Sequence, residues 1–151
     1  MRSLISIILI IDILGDGAVC LCAASKLGCV ARGVELDAEL VERARRRAAE
    51  AGLENGGRVA FERADLFAGG ESAEALVAGW EHAGASVITL FLLPAVLKRL
   101  APALKAWLGA PGRGRRVVAF GWPLEALGTP SRAQVVGDGA KTWRVWSNEA
   151  A

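Results

Sequence analysis

The sequence predicts an α/β fold: a three-layer, mostly parallel sheet with helices on both faces, closed by a C-terminal antiparallel hairpin. Three observations carry that expectation. From Ile7 to Asp37 an apolar run meets a Gly15-Asp16-Gly17 turn, a small-residue helical segment follows, and a second apolar run stops on Glu35, which together make a β-α-β unit. Apolar strand-like runs then keep alternating with helix-period segments as far as Phe120. The tail alternates around Val135 and Val136, turns at Gly137-Asp138-Gly139, and alternates again through Trp143, Val145 and Trp146, which is the period and turn chemistry of a hairpin.

A chain of 151 residues with 53% hydrophobic content fits one domain over 1–151 with an ample core. Its 18 basic and 16 acidic side chains nearly cancel, and a pI near 8.6 lacks the strong positive balance of a nucleic-acid binder, so no nucleic-acid partner is expected. Cys20, Cys22 and Cys29 read as small buried thiols in a reducing compartment, because two cysteines two apart on a helix point to different sides and cannot share a metal. No metal site is expected. Met1-Arg2 and the apolar residues after it imitate a secretory signal, but Asp12 and Asp16 oppose insertion and no uncharged run reaches bilayer length. The expectation is an intracellular, cytoplasmic chain without stable membrane insertion.

Along the chain, Ala18 to Lys26 forms a small-residue helix stopped at Gly28. Asp37 offers an N-cap oxygen, Glu39 adds charge to the first turn, and Leu40, Val41, Ala44 and Ala48 repeat at helical spacing until Gly52. The far side of that helix carries Arg43, Arg45, Arg46 and Arg47, read as a solvated face because Glu39, Glu42 and Glu50 supply opposite charge. After the Asn55-Gly56-Gly57 turn, Arg58 to Arg63 alternates as a half-buried strand and runs out into Ala64-Asp65-Leu66-Phe67. Ser72 caps a short helix through Trp80, and His82, the one histidine, falls in the connection that follows as an exposed loop residue. Ala85 to Leu93 is a strand covered on both faces, and the next helix is expected to be interrupted at Pro102 before resuming to Trp107 and Leu108. Val117 to Phe120 is a further central strand, with Gly121-Trp122-Pro123 as its outlet.

Open parallel sheets bind nucleotide-like ligands at the first strand-to-helix corner, where helix amides face the ligand and glycine admits close backbone approach. An acid ending the second strand can accept hydrogen bonds from both hydroxyls of a ribose. Gly15-Asp16-Gly17 followed by Glu35 therefore reads as a nucleoside-cofactor site, although the tripeptide by itself is more often a plain loop. Asp65, taken by itself, is equally a loop or N-cap acid.

Together these segments resemble class I S-adenosylmethionine-dependent methyltransferases, in which an Asp-Leu-Gly-x-Gly-Asp-Gly signature precedes a Gly-Val-Glu-Leu-Asp strand. Gly33-Val34-Glu35-Leu36-Asp37 matches the second signature, whereas Asp12-Ile13-Leu14-Gly15-Asp16-Gly17 is one residue shorter than the first and lacks its first glycine. The resemblance implies a Rossmann-like methyltransferase fold, S-adenosylmethionine as cofactor, and a cofactor set of Asp12, Gly15, Asp16, Gly17, Glu35, Leu36, Asp65 and Leu66, with Asp65 on the adenine amino group and Leu66 against the ring. Thr89 to Pro94, Arg116 to Phe120, and Gly137-Asp138-Gly139 with Thr142 and Trp146 are similar to small protein-lysine methyltransferases acting on the adenine nucleotide translocase and the ATP synthase c-subunit, and to their bacterial relatives. That implies a protein lysine amine as acceptor, with Leu93, Pro94, Trp122 and Pro123 as candidate acceptor-site residues and a mitochondrial setting as the alternative location. The family segment before the first signature has no counterpart, which predicts a truncated front, and the short first turn predicts weak cofactor binding.

Two other classes fit parts of the pattern. A nucleotide-cofactor oxidoreductase shares the glycine turn and acid, but the G-x-G-x-x-G spacing is absent, Cys20 standing where a third small residue is wanted. A non-catalytic methyltransferase-fold remnant acting as a binding module shares the damaged first signature.

Overall fold

The computed structural model describes residues 7–12, 16–68, 72–112, 114–136 and 141–148, with the side chains of 7–12, 136 and 141 left aside. In chain order the elements are β1 (Ile7–Asp12), α1 (Ala18–Leu27), β2 (Val30–Glu35), α2 (Ala38–Glu50), β3 (Val59–Arg63), α3 (Ala73–His82), β4 (Ala85–Phe91), α4 (Pro94–Gly109), β5 (Arg116–Phe120), β6 (Arg132–Val136) and β7 (Lys141–Ser147). One sheet holds all seven strands in the order β3-β2-β1-β4-β5-β7-β6. The first five strands run parallel, and β7 pairs antiparallel with both β5 and β6. This is the expected mixed α/β architecture, hairpin included; the Gly137-Asp138-Gly139 turn itself lies outside the described residues.

Alternation along each strand sends neighbours to opposite faces, and the two faces bury different partners. Ile88 and Leu90 of β4 and Val117 and Ala119 of β5 join Trp80 of α3 and Leu97, Leu100, Leu104 and Trp107 of α4 in the larger cluster. On the other face Cys20, Ala23 and Ala24 of α1 and Ala48 of α2 pack with Ala31 and Val59, and Val87 of β4 borders them. Small side chains let α1 sit close, as its alanine-rich sequence implies. Cys22 departs from the expectation of three buried thiols: it is exposed, because its spacing from buried Cys20 turns it away from the sheet.

Local chemistry sets the element ends. Asp37 caps α2 through bonds from the Glu39 and Leu40 amides at 2.8 and 3.3 Å. Ser72 caps α3 by accepting from the Ala75 amide at 3.4 Å, and its hydroxyl donates to Glu74 Oε2 at 2.7 Å. Gly28 ends α1 in the left-handed region at φ 66°. The expected interruption at Pro102 does not occur, and α4 is continuous through it. Proline removes one backbone bond, but Leu100, Ala101, Ala103 and Leu104 are buried on either side of it, and that packing holds the helix in one piece. His82 closes α3 rather than lying in the connection, and it is exposed as expected.

Candidate functional site

The strand order reverses between β1 and β4, and open sheets of this kind bind ligands outside the carboxyl ends at such a switch point. Glu35 is the last residue of β2 and is only 7% exposed. Its Oε1 accepts the Asp37 amide at 2.9 Å, which fixes the carboxylate in place. Its Oε2 is buried and has no hydrogen-bond partner among the described residues. A buried carboxylate oxygen left open is costly, and this one has the capacity to accept a hydrogen bond from a bound molecule.

Glu35 lines a cleft of about 510 Å³ whose walls also include Leu36, Asp65, Leu66, Leu92 and Arg99. Leu36 presents an apolar side chain 62% exposed, and its carbonyl is held by Arg63 Nε at 3.2 Å. Asp65 follows β3 and is exposed; one oxygen accepts the Phe67 amide at 2.9 Å, which leaves the carboxylate oriented with acceptor capacity to spare. The Arg99 guanidinium carbon stands 3.8 Å from the centre of the Phe67 ring. A ligand with vicinal hydroxyls at one end, a flat apolar body and an amino donor at the other matches the chemistry of Glu35, Leu36 with Leu66, and Asp65.

The first turn is built differently. Asp16, just ahead of α1, accepts the Ala18 amide at 3.1 Å, and its other carboxylate oxygen pairs with Arg47, whose guanidinium also reaches the Asp16 carbonyl at 3.1 Å. Arg47 therefore leaves the solvated face assigned to it by helical periodicity, because its long side chain spans from α2 to the turn. Arg45 stays exposed and pairs with Glu42 as expected, while also donating to the Phe61 carbonyl at 3.0 Å. Gly17 has φ 77°, and a Cβ there would lie 2.7 Å from the Phe61 ring. Asp12 ends β1, with its side chain not described, and Gly15 lies outside the described residues.

Leu93 and Pro94 follow β4, Trp122 and Pro123 follow β5, and the two strands are parallel neighbours with Leu90 opposite Ala119. All four residues are exposed, Leu93 by 59% and Trp122 by 46%. From Leu92 to Ala95 and from Gly121 to Leu124 there is no carboxylate, amide or imidazole side chain. His82 stands three residues before β4 begins, hence at the opposite edge of the sheet. Among the described residues no group of three His, Cys, Asp or Glu stands together to hold a metal ion, and no helix is long and apolar enough to cross a membrane.

Comparison with solved structures gives this geometry its relatives. An RNA methyltransferase from Salinibacter ruber, in complex with S-adenosyl-L-homocysteine, is similar at 31% identity and a TM-score of 0.70, over 93% of this chain and 79% of that one. TrmN from Thermus thermophilus shares 22% identity at a TM-score of 0.62, and this chain spans 43% of its length. Geranyl diphosphate C-methyltransferase from Streptomyces coelicolor A3(2), in complex with Mg2+, geranyl diphosphate and S-adenosyl-L-homocysteine, shares 14% at 0.62, over 94% of this chain and 72% of that one. No protein-family model and no curated protein sequence matches the chain. The chain belongs to the class I S-adenosylmethionine-dependent methyltransferases. S-Adenosylmethionine is the cofactor of that class.

Proposed function

We propose that this protein transfers a methyl group from S-adenosylmethionine to the side-chain amine of a protein lysine. The observation that carries the cofactor half is the open, buried Oε2 of Glu35 at the end of β2, a ready acceptor for ribose hydroxyls. Asp65 takes the adenine amino group, Leu36 and Leu66 flank the base, and Asp12 with the Gly15-Asp16-Gly17 turn serves the methionine end. When bound, the cofactor supplies an activated methyl group on a sulfonium centre.

The acceptor end supports an amine for a physical reason. A nucleobase amino group has its lone pair delocalised into the ring and needs side-chain acceptors to localise it, whereas a deprotonated alkylamine carries a localised lone pair and needs only alignment and a dry approach. Leu93, Pro94, Trp122 and Pro123 exclude water around such an amine and favour its uncharged form. With no side-chain base at these two strand ends, the ammonium proton leaves to water before the amine is aligned. A second reading, an RNA acceptor, is favoured by the 31% identity to the Salinibacter ruber enzyme.

Calorimetry with S-adenosylhomocysteine tests the cofactor half, and its absence of binding sinks it. Radiolabelled methyl transfer, read in parallel on lysine-bearing proteins and on total RNA from one extract, separates the acceptors. Label retained after ribonuclease and released as methyl-lysine on hydrolysis supports the proposal; label confined to RNA moves the protein to the second reading.

A further inference from the structure

One helix supports both ends of the cofactor site. α2 begins beside the ribose acid, where Asp37, whose side chain caps the helix, donates its own amide to Glu35 Oε1 at 2.9 Å. Further along the same helix, Arg47 Nη1 donates to the Asp16 carbonyl at 3.1 Å and pairs with one oxygen of the Asp16 carboxylate. The other carboxylate oxygen accepts the Ala18 amide at 3.1 Å, so the backbone and the side chain of Asp16 are restrained together. α2 also backs the turn directly, since a Cβ on Gly17 would stand 2.9 Å from that of Ala44. The acid that ends β2 and the turn that follows β1 are thus referred to a common frame.

The side chains of Arg47 and Asp16 are 41% and 42% exposed, and an ion pair so placed adds little to global stability. Its effect is geometric. A charged donor bonded to the carbonyl and the carboxylate of one residue limits rotation on both sides of that residue. Gly17 follows at φ 77°, and glycine alone would let the chain there take many other conformations. The sequence of the turn is one residue shorter than the family signature and lacks its first glycine, so it brings one backbone amide fewer and leans more on support from outside. The other arginines of α2 are placed differently: Arg45 is bound to Glu42 and the Phe61 carbonyl, and Arg43 and Arg46 face a surface hollow with Glu39 and Glu42.

We infer that Arg47 is a positioning residue for the cofactor: through Asp16 it sets where the first turn stands, and so how well that turn receives the amino-acid end of S-adenosylmethionine. This deepens the proposed function and rests on it for the assignment of that end to the turn. The adenosine end, held at Glu35 and Asp65, does not depend on the pair. Loss of Arg47 therefore releases the turn and leaves the adenosine contacts in place.

The test compares, by calorimetry on the full chain, binding of S-adenosylhomocysteine with binding of methylthioadenosine, which lacks the amino-acid end. Arg47→Met keeps an apolar stem and good helix propensity but has neither charge nor donor. Expected is a fall of about fivefold or more in S-adenosylhomocysteine affinity with methylthioadenosine affinity unchanged. Arg47→Lys, which keeps the charge and the donors, should recover most of the loss. Should Arg47→Met fail to fold, Arg47→Gln takes its place. Amide protection of Ala18 and Leu21, whose hydrogen bonds run to Asp16 and Gly17, is followed on the same proteins without ligand and should fall in Arg47→Met and return in Arg47→Lys. Equal weakening of both ligands, no weakening of either, unchanged protection, or Arg47→Lys no better than Arg47→Met each overturns the inference and leaves an ordinary surface pair. A parent protein that binds neither ligand fails the proposed function itself, whereas a parent that binds both, with variants that show no selective loss, fails the positioning role alone.

Discussion

The carboxyl ends of β2 and β3 and those of β4 and β5 lie on one edge of the same sheet and are built from opposite materials. At β2 and β3 the exits carry carboxylates locked by backbone amides, Glu35 by Asp37 and Asp65 by Phe67. At β4 and β5 the exits carry leucine, proline and tryptophan and no side-chain acceptor. Under the proposed function the difference is a division of labour. A polar end recognises a fixed small molecule through preset hydrogen bonds, while an apolar end leaves a variable nucleophile undirected except by shape and dryness.

The comparison breaks most visibly at Glu35. Glu35→Gln keeps the size and one acceptor for the Asp37 amide but spoils the ribose contact, so S-adenosylhomocysteine affinity should fall by roughly 1.5–3 kcal/mol, about tenfold or more. Thermal stability without ligand should hold or rise, since an uncompensated buried charge is removed; calorimetry and a melting curve on one sample read both. At the opposite end Trp122→Ala should leave that affinity intact and reduce methyl transfer roughly tenfold through misalignment of the acceptor. If cofactor affinity falls instead, the two ends are not separate, and if transfer is unchanged, Trp122 is only a core cover.

A smaller effect is expected at the first turn. Replacing Ile13-Leu14 by Leu-Gly-Ser restores the family length and should tighten S-adenosylhomocysteine binding severalfold by bringing backbone amides to the methionine end. A lengthened protein that binds no better shows the short turn to be harmless. The smallest effect concerns α3. The Ser72 hydroxyl and the Glu74 backbone amide hold the Glu74 carboxyl below the ordinary glutamate range. A lowered native pKa means stability present above the unfolded value and lost as pH falls through the native one. Amide protection factors at the start of α3, corrected for the intrinsic exchange rate, should therefore fall only under acid, and Ser72→Ala should flatten that dependence.

What the sequence made legible was local. The glycine stop at Gly28, the caps at Asp37 and Ser72 and the alternation of the hairpin each depend on neighbours within a few residues, and each is where spacing put it. The carboxylates at 35 and 65 could be placed at strand ends by counting. Contacts between distant segments were not legible in this way. Arg47 looked like a solvent residue because helical period says nothing about a turn 31 positions away. Pro102 looked like a break because the buried residues on both sides of it contribute only once the sheet is in place. The open oxygen of Glu35 needed the packing around the end of β2.

Phe61 lies against two backbone glycines at once, and its position has a consequence for how relatives of this chain can diverge. A Cβ at Gly17 would stand 2.7 Å from its ring and one at Gly33 would stand 2.5 Å from it. Positions 17, 33 and 61 therefore form one packing unit. A side chain gained at 33 can persist only in a lineage that has already traded the ring at 61 for something smaller, and the reverse order of events leaves a void that selection can fill. Gly17, at a positive φ, has no such second route open to it. An alignment of relatives should show 33 and 61 varying together while 17 stands still, so a change at 17 marks a lineage in which the first turn itself has been rebuilt.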